Sequence, residues 1–468
     1  MGGVSQDFLQ REDVFQSLSI KDTFDLPSLS QIHAWKSFLV PKLHQVIELL
    51  TTQGISLAAR LLYGFLCVRL LPIPEYAKFA VVFGFLGTLA VLMDIAFSST
   101  LLPLIGERTD DRQLIADYVT SLRQLAHRLY LVAAPAAILV YPVLVYKQHW
   151  SWRVVAAMVA ILLVASWCDR VSGAYGAVLI VRRDRGFWYR AQIIASLGAL
   201  ALLGVFWALH MLNAFSAILI SVASIVYLSL SYFFRARRLL DVTGHPSKEK
   251  RKAIIHLALP SMPNVIFYAF QGQISLLLIT WFGHITAVAS VGALGRLAQV
   301  FVLFGLMNPL LLEPYFARLP AERLKRNYFG VLAVEGVFCV FVTGLAAYFP
   351  QLFLWVLGHN YSNLRFEVLL MIAGGAISYF SGVMWMIHNS RRFVYWWNSI
   401  VFIILALTVQ VLFIWKVDLS TVRAVLVLNL AIAVLALLVN GFTGIYGFVR
   451  GPRKTAMLAM IPTGDDYA

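Results

Sequence analysis

Twelve apolar runs of membrane-spanning length follow one another along this chain, and the connections between them are too short to fold into separate domains. The runs extend approximately over Leu43 to Leu71, Tyr76 to Ile105, Leu125 to Tyr146, Trp152 to Val181, Phe187 to Leu209 and Asn213 to Phe234. The remaining six cover Ile254 to Phe282, Ile285 to Phe316, Tyr328 to Phe349, Phe366 to Ile387, Val394 to Trp415 and Val422 to Val449. A spanning helix takes about 20 apolar residues. In hydrocarbon the backbone must satisfy its own N–H and C=O groups, so these runs fold as helices. Charged residues make up only 13% of the chain, against about 25% in soluble proteins, which excludes an ordinary soluble enzyme. The expected fold is an all-α polytopic membrane protein, with about 12 transmembrane helices in two six-helix lobes around a central cavity.

The net charge of +15 would suggest nucleic acid in a soluble chain. Here it has another origin, because Lys and Arg collect in cytoplasmic loops of membrane proteins. With the N-terminus inside, 28 Lys and Arg fall on the inner side and 6 on the outer. Both termini are therefore expected in the cytoplasm, and no cleavable signal peptide is evident in the polar N-terminal stretch. The longest inner connection, Arg235 to Lys252, divides the chain into two blocks of similar length. The expected organisation is an N-terminal tail over 1–42, an N-terminal lobe over 43–238, a linker over 239–253, a C-terminal lobe over 254–449 and a tail over 450–468.

Several chemistries lack their motifs. Neither a GxxxxGK[ST] phosphate loop nor a strand-preceded GxGxxG occurs, and HExxH and GxSxG are missing as well. Cys67, Cys168 and Cys339 lie in apolar runs without a CxxC or Cys/His cluster, so neither disulfides nor a structural metal is expected. No cofactor is implied, and the chain reads as a non-enzyme.

Four arginines remain inside the spans: Arg60, Arg69, Arg170 and Arg296. An ionisable group near the bilayer centre costs several kcal/mol and normally faces a partner or water. Arg69 is close enough to a span end to snorkel, whereas Arg60, Arg170 and Arg296 are deep. Polar stripes accompany them at steps of three and four, which places each stripe on one helix face. The first helix carries Gln53, Ser56, Arg60 and Gly64, and the second Gly84, Gly87, Asp94 and Ser98. The seventh carries Ser261, Asn264, Tyr268, Gln271 and Ser275, the eighth Gly292, Arg296 and Gln299, and the tenth Gly374, Ser378, Ser381, Trp385 and His388. Small and polar residues also glue membrane helices together. The arginines with long amides favour a hydrated cavity, giving Arg60, Arg170, Arg296, Gln53, Asn264, Gln271 and Gln299 as substrate-binding candidates. Asp94 and Asp169 are candidates for an ion pair or a coupling role.

The stretch Ala59 to Arg108, with Arg69, Leu70, Pro74, Glu75 and Tyr76, resembles the opening of bacterial polysaccharide-export flippases; Ala77 replaces the usual Gly of that motif, and Phe97 interrupts its small-residue step. The stretch Leu257 to Phe301 resembles the seventh and eighth helices of that family, and LGHNYSNLRFEVLLMI its ninth-to-tenth connection. The chain is thereby similar to members of the multidrug/oligosaccharidyl-lipid/polysaccharide exporter superfamily. The resemblance implies alternating access that moves a polyprenyl-diphosphate-linked oligosaccharide across the bacterial inner membrane. It also places Arg60 and Arg296 where related flippases keep cavity arginines. Guanidinium suits such a substrate, because its planar fork binds diphosphate oxygens in pairs. The partners implied are the lipid-linked glycan, the bilayer, and glycosyltransferases and a polymerase of the same pathway, with no nucleic acid. Two alternatives stay open: a cation-coupled multidrug exporter of the same superfamily, and a polysaccharide polymerase or glycosyltransferase.

Overall fold

The computed structural model describes residues 53–450 apart from 107, 306, 307, 309–311, 392 and 394, and no strand occurs among them. The expected N-terminal tail, the beginning of the first span and nearly all of the C-terminal tail lie outside the described residues. Helix α1 covers 53–70. It is followed by α2 Ile73–Asp94, α3 Arg112–Val145, α4 Trp152–Val181, α5 Arg185–Ala208 and α6 Ala214–Leu240, completing the first lobe.

The second lobe begins with a broken helix, whose pieces are α7a Lys248–Ala258, α7b Met262–Gln271 and α7c Ile274–Phe282. Then come α8 Ile285–Ala298, α9 Ala321–Tyr348, α10 Arg365–Ser390, α11 Trp396–Lys416 and α12 Val422–Arg450. Among the described residues ten helices are long and apolar enough to span a membrane, and eleven if the bent pair α7a and α7b is counted as one span. The fold is a polytopic all-α bundle, as the apolar runs require.

Local chemistry sets the helix boundaries. Pro72 precedes α2, and Pro74 sits in its first turn, where a missing N–H costs nothing. Asp111 caps α3 by accepting from Leu114 N, and Asn213 and Ser216 cap α6 reciprocally. The seventh span was expected as one run from Ile254 to Phe282, but it bends by 62° between α7a and α7b. Pro260 and Pro263 flank the bend. Each lacks a backbone donor and crowds the preceding turn, so a straight helix cannot continue through them. Helix α2 ends on two left-handed residues, Ile95 (φ 38°) and Ala96 (φ 66°), each costing about 1–2 kcal/mol. Asp94 Oδ1 holds this turn, accepting from Ser98 N at 2.9 Å and Ser98 Oγ at 2.6 Å.

The two sides of the bundle differ. On the side opposite the 241–247 connection, the lobes close tightly. There α2 meets α8 where Gly292 faces Ala80, so near that a Cβ on Gly292 would stand 2.7 Å from the Ala80 methyl. Such small-residue contacts let membrane helices approach to backbone range. Around them Tyr76 is fully buried against Tyr361, and Arg69 lies over the Trp355 ring at 5.3 Å. Gln148 Nε2 donates to Thr280 O and Gly283 O, tying the end of α3 to α7c.

On the connection side, the chain between the lobes is fastened to α3. Lys250 Nζ pairs with Asp117 Oδ2, His245 N donates to Asp117 Oδ1, and Ser247 N donates to Ser121 Oγ. Gly244 lies against Ala116 so closely that a Cβ would fall 2.1 Å from the Ala116 carbonyl oxygen, which only glycine permits. Ile254 and Ala258 of α7a are buried in one cluster with Ile115, Ala116 and Leu122 of α3.

Candidate functional site

Arg296 sits on the face of α8 that meets α1 and α2, and is 6% exposed. Its guanidinium carbon lies 4.2 Å from the Phe83 ring centroid and 5.7 Å from that of Phe79. Nη1 donates to Gln299 Oε1 at 3.3 Å, one turn further along α8. Gly64 of α1 makes room for it: a Cβ there would stand 3.2 Å from Arg296 Cδ and Nη1. Among the described residues, no carboxylate lies within 4.0 Å of this buried charge. The aromatic cage offsets part of its desolvation.

Arg60 precedes Gly64 by one helical turn, about 6 Å along the same face of α1. Unlike Arg296 it is exposed. Nε donates to Ser196 Oγ and Nη2 to Gln192 Oε1, both at 3.3 Å. Ser56, a turn earlier, shares a hydrogen bond with Ser196 at 2.9 Å. Two guanidiniums from different lobes are thus brought to one stripe of α1, each held by neutral oxygens and neither paired with an acid within 4.0 Å among the described residues. Gln299 joins them through Arg296, and Gln53 is half-buried two turns from Arg60 on the same stripe. Sequence reasoning passed over Gln192 and Ser196. Their signal was present, a polar pair at i and i+4 within the apolar α5 run RAQIIASLGAL.

The other candidates take different places. Asn264 donates to Ser399 Oγ at 2.7 Å, Gln271 accepts from Gln410 Nε2, and Tyr268 stacks on Phe402. The stripe of the seventh helix therefore binds to α11. Gly84 and Gly87 of α2 face the Gln273 side chain, and Asp94 completes the turn with Ser98. Asp169 is half-buried on α4, and neither it nor Asp94 forms an ion pair among the described residues. Arg170 is not brought to the Arg60 and Arg296 stripe. It turns toward α3, with its guanidinium carbon 3.8 Å from the Trp167 ring.

A cavity of about 540 Å³ opens in the second lobe, with walls that include Asn308, Glu313, Ser378, Tyr379, Trp385 and Asn429. The tenth-helix stripe divides here. Ser378 and Trp385 line the cavity, while Gly374 meets Asn429, Ser381 accepts from Asn440 Nδ2, and His388 bonds the Tyr328 hydroxyl at 3.0 Å.

No family model matches the chain, and no curated protein matches it in sequence. Solved structures do resemble it in fold. One is the inward-facing conformation of a multidrug resistance MATE family transporter of the MOP superfamily (TM-score 0.65, 16% identity, 85% of this chain and 94% of that one). Another is the lipid II flippase MurJ in its inward closed conformation (TM-score 0.60, 11% identity, 85% and 88%). A MATE in complex with MaL6 overlaps at TM-score 0.59, with 15% identity over 86% and 94%. The chain shares the fold of these proteins.

Proposed function

We propose that this chain is a flippase that carries a polyprenyl-diphosphate-linked oligosaccharide across the bacterial inner membrane by alternating access, for assembly of a surface or exported polysaccharide. The observation that carries this reading is the pair Arg60 and Arg296, two guanidiniums contributed by opposite lobes to one stripe of α1 and unpaired with any acid among the described residues. A diphosphate bridging them would be held by charge-assisted hydrogen bonds, while the prenyl tail stays in lipid. Gln192 and Gln299 place side-chain amides beside them, and Ser196 orients Arg60 by accepting from its Nε. The likeness to the lipid II flippase fold supports the same reading, as does the resemblance of Ala59 to Arg108 to polysaccharide-export flippases.

In this reading both termini and the 235–252 connection are cytoplasmic, following the distribution of Lys and Arg. Outward passage of a dianionic head is then electrically downhill, each charge contributing about 2.3 kcal/mol per 100 mV of inside-negative potential. Transport proceeds when the lobes exchange the tight contact at Gly292 for one on the connection side. A cation-coupled multidrug exporter is the second reading, favoured by Glu313 in the cavity wall.

The test is to replace Arg60 or Arg296 with Ala and follow lipid-linked glycan by leaflet in a strain lacking the chain. Export should stop and precursor accumulate in the inner leaflet at near-normal protein level, with Lys rescuing only in part because it lacks the fork. Normal export by both Ala variants would refute the assignment. Loss of drug efflux with intact glycan export would select the exporter.

A further inference from the structure

The surface between α3, α4 and α6 near the connection side carries cations that the proposed transport does not use. Arg170 is 8% exposed, and its Nε is buried without a hydrogen-bond partner. Its guanidinium stacks on Trp167, which is 42% exposed and meets the His127 and Tyr130 rings of α3 edge-on at 5.8 and 5.2 Å. Arg123 of α3 lies over the Tyr175 ring at 5.3 Å, and Tyr175 meets Phe233 of α6 edge-on at 5.2 Å, one turn before Arg237 on the same helix face. Among the described residues none of these three arginines forms an ion pair. Asp117, Asp110 and Asp184 are already taken by Lys250, Arg182 and Arg235, and Asp169, the neighbour of Arg170 in sequence, projects about 100° away from it around α4 and pairs with none of the three. Three positive charges therefore gather around Tyr175 and Trp167 with no paired acid among the described residues, one of them buried with an unsatisfied donor.

The depth of this cluster identifies what would neutralise it. Counted along α4 alone, Arg170 falls well inside the helix, but α3 gives the level directly. Up to Arg128 the adjacent turns of α3 carry Arg123, Gln124 and His127, and from Leu129 onward the helix is almost wholly apolar. The cluster therefore lies at the polar boundary of the membrane, with a half-exposed Trp beside it, the side chain enriched at that boundary.

We propose that Arg123, Arg170 and Arg237 form a binding site for the phosphate of an anionic phospholipid in the leaflet on the connection side. Arg170 would supply donors from beneath, Arg123 and Arg237 would close over the phosphate, and Trp167 would pack beside the upper acyl chain. The site is separate from the Arg60 and Arg296 stripe, and the proposal does not depend on the transported substrate.

The experiment uses the purified full-length protein in detergent, with bound lipid read by native mass spectrometry and binding by titration. Phosphatidylglycerol should be retained at least about tenfold more tightly than phosphatidylcholine, a preference that Arg170→Gln reduces to near unity. Arg123→Gln, at an exposed position, should weaken phosphatidylglycerol several-fold and serves if the Arg170 variant does not fold. Arg60→Gln should leave the preference intact. Equal retention of both lipids, or an unchanged preference in Arg123→Gln, overturns the site. Inorganic phosphate displacing phosphatidylglycerol at equal concentration would show a free-phosphate site and overturn the lipid assignment.

Discussion

Replacing Arg296 with Met separates a charge kept for transport from one kept for the fold. The side chain is 6% exposed, touches Phe83 at 4.2 Å and Phe79 at 5.7 Å, and donates one hydrogen bond to Gln299 at 3.3 Å. An arginine near the bilayer centre costs about 2.5–3.5 kcal/mol on insertion scales. Against this, two cation–π contacts contribute about 0.5–1 kcal/mol each, and the Gln299 bond about 1 kcal/mol. The opposing contributions cancel to within about 1 kcal/mol. Methionine is shorter, but its flexible apolar chain packs favourably on aromatic rings, and the substitution removes the unpaired charge. Arg296→Met should therefore hold the melting temperature within a few degrees of the parent while abolishing glycan export. Thermal unfolding of the purified protein, followed by tryptophan fluorescence, reads the first quantity, and leaflet-resolved glycan analysis the second. A loss of stability beyond about 3 kcal/mol would make Arg296 a structural pin, and normal export would remove it from the transport path; either result refutes the reasoning.

Gly292→Val should wedge α2 from α8, since its Cβ alone meets the Ala80 methyl at 2.7 Å; a cysteine at Tyr76, now fully buried, should gain reactivity toward a water-soluble maleimide. Asp94→Asn keeps an oxygen for Ser98 and should preserve the fold, so an unchanged response of sealed vesicles to potential, proton and sodium gradients alike removes Asp94 from coupling. Reporter fusions active only in the periplasm should be silent at Lys250 and active near Asn360. A signal at Lys250 would reverse the assigned sidedness.

Hydropathy and length made the helices legible, because a spanning run admits few alternatives in lipid. Periodicity grouped Asn264, Tyr268 and Gln271 on one face, but it carried no information about what that face meets. The amides expected to line a cavity instead bond to Ser399 and Gln410 of α11. For Arg60 and Arg296, depth and side-chain type were enough to single them out. Their convergence depends on Gly64, whose absent side chain leaves space that no pattern of polar residues records. Arg170 looked equally deep when counted along its own helix, and only the neighbouring α3 reveals its level. The bend in the seventh helix did have a signal, in Pro260 and Pro263, but an uninterrupted hydropathy profile masked it.

The fastening of the 241–252 connection to α3 bears on how the two halves can move. A segment with Gly244 pressed on Ala116, Lys250 paired to Asp117, and Ile254 and Ala258 buried beside α3 cannot serve as a slack tether. Any rotation of one half against the other must be taken up further along, in the three residues between α7a and α7b. The lever arm of the motion thus starts at the bend itself, and α7b leads from it to the Ala269 carbonyl that accepts from Thr88 of α2 and on to Gln273 beside Gly84 and Gly87. A small angular change there is magnified along α7b, where Ala269 meets α2 and Asn264 and Gln271 meet α11.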